Sequence, residues 1–179
     1  MVSVLFVCTA NICRSPYMEL AGRAMLSPGS SLELSSAGTL GFVDKPMDKT
    51  MATAFEHSPE VTEADIAAFR SRRLTAAHLD AADLVLTAES EHRQFILTEF
   101  PAAFRKVFSL GQFAAGVQRV DSTLSGVELV KTVATTSGVA QVRADIADPY
   151  RRGRRAAADA AAQIDELLVS VIPALEERN

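Results

Sequence analysis

Cysteine is scarce in this chain: two occur in 179 residues, at positions 8 and 13, and the three histidines, His57, His78 and His92, are scattered. Neither type shows the close spacing that metal ligands need. This argues against a zinc site, and no metal or cofactor is expected. Long hydrophobic runs are missing too: no stretch approaches the length of a membrane span, and the first apolar segment lacks the basic flank and cleavage site of a signal peptide. The expectation is a cytoplasmic protein without membrane insertion. There is no excess of positive charge either. The formal net charge of −4 argues against general attraction to nucleic acid.

What remains is ordinary for a globular domain, with 48% hydrophobic and 22% charged residues. A chain of this length suits one domain, 1–179, with a substantial core. Residues 2–7 are almost continuously apolar, the pattern of a strand buried on both faces of a parallel sheet. Further strands are expected at 32–35, 82–87 and 105–110. Helices are expected at 15–26, 46–56, 62–69 and 89–100, and at the C-terminus from about residue 157, where Pro173 should kink or end the helix. Strands separated by helices predict a doubly wound α/β fold with a four-stranded parallel sheet. Residues 112–144 read as an insertion holding one or two extra helices, broken near Asp121-Ser122 and Thr135-Thr136-Ser137-Gly138.

The chemistry concentrates in Cys8-Thr9-Ala10-Asn11-Ile12-Cys13-Arg14-Ser15-Pro16. A buried strand leads into a polar turn, and Pro16 then opens a helix, where its missing N–H costs nothing. Successive amides of such a turn, with the positive end of the helix, form a concave seat for a tetrahedral oxyanion such as phosphate. Thr9, Ala10, Asn11, Ile12, Cys13, Arg14 and Ser15 line that seat. Cys8 and Arg14, with five residues between them, stand on its rim. The amides, the helix terminus and the guanidinium all favour a sulfur anion at Cys8, the candidate nucleophile. Arg14 can grip two phosphate oxygens through its planar fork.

This Cys-x5-Arg-Ser-Pro loop after a first strand resembles the signature of the low-molecular-weight protein tyrosine phosphatases. The resemblance implies a flavodoxin-like fold and a phosphotyrosine phosphatase that acts on tyrosine-phosphorylated proteins. Asp148-Pro149-Tyr150 resembles the family's Asp-Pro-Tyr loop, which makes Asp148 the expected general acid. Asp145 competes for that role but lacks the Pro-Tyr that follows. The resemblance also implies that Ser36 hydrogen-bonds Asn11, and that Ser15 donates to the Cys8 sulfur. Phe42, Tyr150 and Arg151 become candidate substrate contacts. Cys13 would form a protective disulfide with Cys8 under oxidation.

Ala10 stands where the family usually has glycine; if that position needs a positive φ, alanine costs about 1–2 kcal/mol. Three alternatives stay open. Arsenate reductases share the loop, but those coupled to thioredoxin use further cysteines that this chain lacks. Phosphoarginine phosphatases tend to place Thr where Ile12 stands here. The departures at Ala10 and Arg151 also admit a phosphotyrosine-binding module without turnover.

Overall fold

A computed structural model describes residues 1–56, 58, 60–136 and 144–176. Four strands form one parallel sheet: β1 (Val2–Cys8), β2 (Leu32–Gly38), β3 (Leu84–Thr87) and β4 (Val107–Ser109). Their order is β2-β1-β3-β4. β1 is central because it is apolar on both faces. Val2, Val4 and Phe6 join one buried cluster, and Leu5 and Val7 join a second on the opposite face.

Among the described residues eight α-helices follow in chain order: α1 (Arg14–Ala24), α2 (Lys49–Ala52), α3 (Glu63–Ala68), α4 (Ala76–Ala81), α5 (Ser90–Glu99), α6 (Leu110–Val117), α7 (Gly126–Thr135) and α8 (Gly153–Leu175). Leu79 of α4 and Ile96 of α5 pack against Leu5 and Val7, while α1, α6, α7 and α8 contribute to the cluster on the other face. Tyr17 of α1 stacks on Phe55 at 4.3 Å between ring centroids, and its hydroxyl donates to Asp165 of α8 at 2.9 Å. The chain reverses its direction of winding on either side of β1. Ligands of open α/β sheets bind at the carboxyl ends of the strands beside such a switch point, which is where the Cys8–Arg14 loop emerges.

Several elements differ from expectation. The second strand does not stop at Ser35, because Ser36, Ala37 and Gly38 continue the parallel register against Phe6, Val7 and Cys8. The 46–56 helix is shorter than its apolar periodicity suggests. Asp48 accepts from the Met51 amide and starts α2 late, and a 3-10 turn, Thr53–Phe55, follows. α1 begins at Arg14, and its residues from Arg14 to Gly22 are all buried, so it has no solvent face along that length. Pro173 does not end α8, which runs two residues further. The carbonyl it leaves unpaired belongs to Val169, an exposed residue able to meet water. The 112–144 stretch begins inside α6 and carries α7; Ser137, Gly138 and the rest of 137–143 lie outside the described residues, as does His57. Among the described residues no helix is long and apolar enough to cross a membrane.

Candidate active site

The turn between β1 and α1 is held by side-chain hydrogen bonds. No side chain caps α1. Asn11 sits in the left-handed region, φ 54°, which asparagine tolerates better than most residues. Its amide nitrogen donates to Ser15 Oγ at 2.9 Å and to Ser36 Oγ at 2.8 Å, and its carbonyl oxygen accepts from the Arg72 amide at 2.7 Å. Ser36 in turn donates to Glu19 Oε2 at 2.6 Å, and Arg23 pairs with Glu19 Oε1, also at 2.6 Å. Asn11, Ser15 and Ser36 are fully buried. The positive φ falls on Asn11 and not on Ala10, so the penalty considered for alanine does not arise.

Ser15 Oγ lies 3.0 Å from Cys8 Sγ. Because Ser15 accepts from Asn11, its own proton is available, and the sulfur is nearer than the alternative acceptor, the Ala37 carbonyl at 3.4 Å. The strand end approaches the loop so closely that glycine is required at position 38: a Cβ there would lie 2.7 Å from the Thr9 carbonyl oxygen. The following residues track the loop, with the Thr39 and Leu40 amides donating to the Cys8 and Thr9 carbonyls at 2.9 Å each. Phe42 lies beyond them, 46% exposed, its carbonyl accepting from Ser71 Oγ. Ile12 is buried.

Arg14 is buried despite its charge. Its Nη1 donates to the Ile146 carbonyl at 2.7 Å and pairs with Glu89 Oε2 at 2.9 Å, and its Nη2 lies 3.4 Å from Asp148 Oδ1. Nε is buried with no partner. Buried donors are almost always satisfied, so this one suits an acceptor such as an oxyanion. Asp148 reaches the loop because the 144–150 segment passes the end of β3, where the Ile146 amide donates to the Ala88 carbonyl at 2.9 Å. Its competitor Asp145 is engaged elsewhere, accepting from the amide and hydroxyl of Ser90 at 2.7 Å each. The structure thus brings Cys8, Asn11, Arg14, Ser15, Ser36 and Asp148 together.

The Tyr150 amide donates to Asp148 Oδ1 at 3.3 Å, and the Arg151 guanidinium carbon stands 5.1 Å from the centre of the Tyr150 ring. Cys8 and Cys13 are both buried free thiols. Burial, reinforced by Asp48, pushes the Cys13 thiol well above its ordinary value, so it stays protonated at neutral pH. Among the described residues no cluster of three metal-ligating side chains occurs.

Two residues escape sequence reasoning. Glu89 pairs with Arg14, and His92 contacts Thr9 Oγ1 through Nε2 at 2.8 Å. The available signal was their place just after β3, at the switch point.

A sequence profile of the family described as low molecular weight phosphotyrosine protein phosphatase matches residues 3–127. Over 112 residues the chain is 38% identical to the low molecular weight protein-tyrosine-phosphatase Etp of Escherichia coli, covering 62% of this chain and 70% of that protein. Over 113 residues it is 35% identical to a protein-arginine-phosphatase of Geobacillus stearothermophilus, covering 63% of this chain and 72% of that protein. The solved structure of the YwlE arginine phosphatase from Geobacillus stearothermophilus superposes with a TM-score of 0.74 at 27% identity, covering 97% of this chain and 92% of that one.

Proposed function

The chain belongs to the low molecular weight phosphotyrosine protein phosphatase family, a family of hydrolases, and on that premise we propose that it hydrolyses phosphotyrosine in proteins through a cysteinyl-phosphate intermediate. Its partners in this reading are tyrosine-phosphorylated proteins met in the cytoplasm. The Cys8 sulfur attacks phosphorus in line, so that a P–S bond forms as the P–O bond to the phenol breaks. Arg14 and the amides of residues 9–15 hold the equatorial oxygens. Asp148 delivers a proton to the departing phenolate, an effect worth about 10²–10⁴-fold. Water then attacks the phosphocysteine, with Asp148 now taking the proton, and Ser15 stabilises the sulfur as it leaves. Phe42 and Tyr150 flank the aromatic substrate, with Arg151 beside Tyr150. Cys13 serves as the redox partner of Cys8, so peroxide should inactivate the enzyme and a thiol should restore it.

The observation that carries this reading is Arg14: a buried guanidinium on the loop of Cys8, with its Nε unpartnered and the Asp148 carboxylate 3.4 Å away. Release of phenol from an aryl phosphate tests it. Turnover should vanish in Cys8→Ser; full activity in that variant overturns the mechanism. A second reading, phosphoarginine hydrolysis, is favoured by the 35% identical arginine phosphatase. An apolar Ile12 suits an aryl phosphate better. Phosphotyrosine and phosphoarginine peptides assayed side by side decide between them, and faster turnover of phosphoarginine would replace the first reading.

A further inference from the structure

His92 sits in the first turn of α5 and is 5% exposed. Its Nε2 lies 2.8 Å from Thr9 Oγ1 and 3.5 Å from Glu89 Oε2, and its Nδ1 is buried with no partner. These contacts select a tautomer. A carboxylate oxygen can only accept, so the nitrogen facing it carries the hydrogen. The opposite tautomer would bury an unpaired N–H at Nδ1, whereas this one leaves only a lone pair unsatisfied. Protonating Nδ1 would create the same orphan donor. In keeping with this, burial and then the Arg14 charge push the imidazole down to about 4. At neutral pH His92 is therefore a neutral donor through Nε2.

The hydroxyl that Nε2 bonds and the carboxylate it approaches at 3.5 Å are related to opposite ends of one loop. Thr9 follows the sulfur directly, and Glu89 holds Arg14 Nη1 at 2.9 Å. We propose that His92 is a positioning residue that sets the span of the phosphate loop, joining its Cys8 end through Thr9 to its Arg14 end through Glu89. The proposal rests on the phosphatase reading only for the identity of the anion. A loop held at the right width binds phosphoryl oxygens without reorganising. Removing the link weakens anion binding in the ground state and the transition state alike, which raises KM and leaves kcat nearly unchanged.

The test measures calorimetric affinity for inorganic phosphate together with KM and kcat on an aryl phosphate. His92→Phe removes the donor and keeps a ring, and Thr9→Val removes the acceptor at constant shape. Each should weaken phosphate binding and raise KM by about 3- to 10-fold, the value of one net hydrogen bond, with kcat within about twofold. The double variant should be no worse than the weaker-binding single, because both break one link. His92→Gln, which carries an N–H near the Nε2 position, and Thr9→Ser should restore binding.

Unchanged phosphate affinity in Thr9→Val overturns the proposal. So do additive losses in the double variant, or a His92→Gln as weak as His92→Phe. If His92→Phe fails to fold, Thr9→Val against Thr9→Ser still decides. Phosphate affinity is read without turnover. An unmodified protein that never releases phenol therefore sinks the phosphatase reading separately, and the positioning proposal is judged on binding alone.

Discussion

The two arms of the site are built in opposite ways. In the loop from Cys8 to Ser15, the side chains of Asn11 and Ser15 are fully buried, and Asn11 alone makes three hydrogen bonds. On the arm that carries Asp148, burial is intermittent: Ile146 and Pro149 are buried, while Asp145, Ala147 and Tyr150 are exposed. The Asp148 side chain is 45% exposed, and its recorded contacts are the 3.4 Å approach to Arg14 and the 3.3 Å hydrogen bond from the Tyr150 amide. The difference teaches what each arm is for. A seat for an anion must be formed before the anion arrives, because donors that need no rearrangement stabilise charge most effectively. A proton donor must reach a leaving group whose shape varies, and a half-exposed carboxyl beside the seat can do so. Damage to the first arm should cost stability and binding; damage to the second should cost rate alone.

The largest effect sharpens this contrast. Cys8→Ser should abolish turnover of an aryl phosphate altogether, since the hydroxyl is a far weaker nucleophile at neutral pH. Next, Asp148→Asn should lower kcat by about 10²–10⁴-fold. Inorganic phosphate should bind at least as tightly as before, because Arg14 loses a competing carboxylate. Urea unfolding of this variant should stay within about 0.5 kcal/mol of the unmodified protein, as expected of an exposed side chain. Asn11→Ala should show the reverse profile. Its loss of three buried hydrogen bonds, and of a residue suited to φ 54°, should cost about 2–4 kcal/mol in urea unfolding and weaken phosphate binding. If Asp148→Asn unfolds as readily as Asn11→Ala, the contrast between a built seat and a free arm fails.

The smallest effect concerns pH. The folded value of His92 is about 4, below the ordinary 6.5. Between these values the unfolded chain binds more protons than the folded one, so stability rises with pH across the window and is lost as pH falls from 6.5 towards 4. The loss from this group should be on the order of 1–3 kcal/mol. His92→Gln should flatten that part of the profile in urea titrations at pH 4, 5, 6 and 7. An equally steep profile in the variant would assign the acid sensitivity to other groups.

Part of the molecule was readable in one dimension because its signals are local. The unbroken apolar run of β1 can only be buried on both faces, and the order strand, turn, helix around Cys8 and Arg14 already describes an anion seat. The Asn11–Ser36 hydrogen bond, implied by the family resemblance, is present at 2.8 Å. Local pattern was less informative where tertiary pairing overrides it. Ser36-Ala37-Gly38 has the composition of a turn, yet β1 supplies a ladder that keeps it extended to Gly38. The apolar spacing of 46–56 describes a longer helix than the one that Asp48 starts at Lys49.

The sequence by itself determined the parallel α/β class, the loop and its two chemical residues, because apolar periodicity and turn residues act over a few positions. Only the tertiary structure decided which carboxylates meet Arg14 and what braces Thr9. Glu89 and His92 are ordinary residues at the start of a helix. They enter the site because β3 lies beside β1 in the sheet, and that adjacency places the end of one strand against the loop that follows the other.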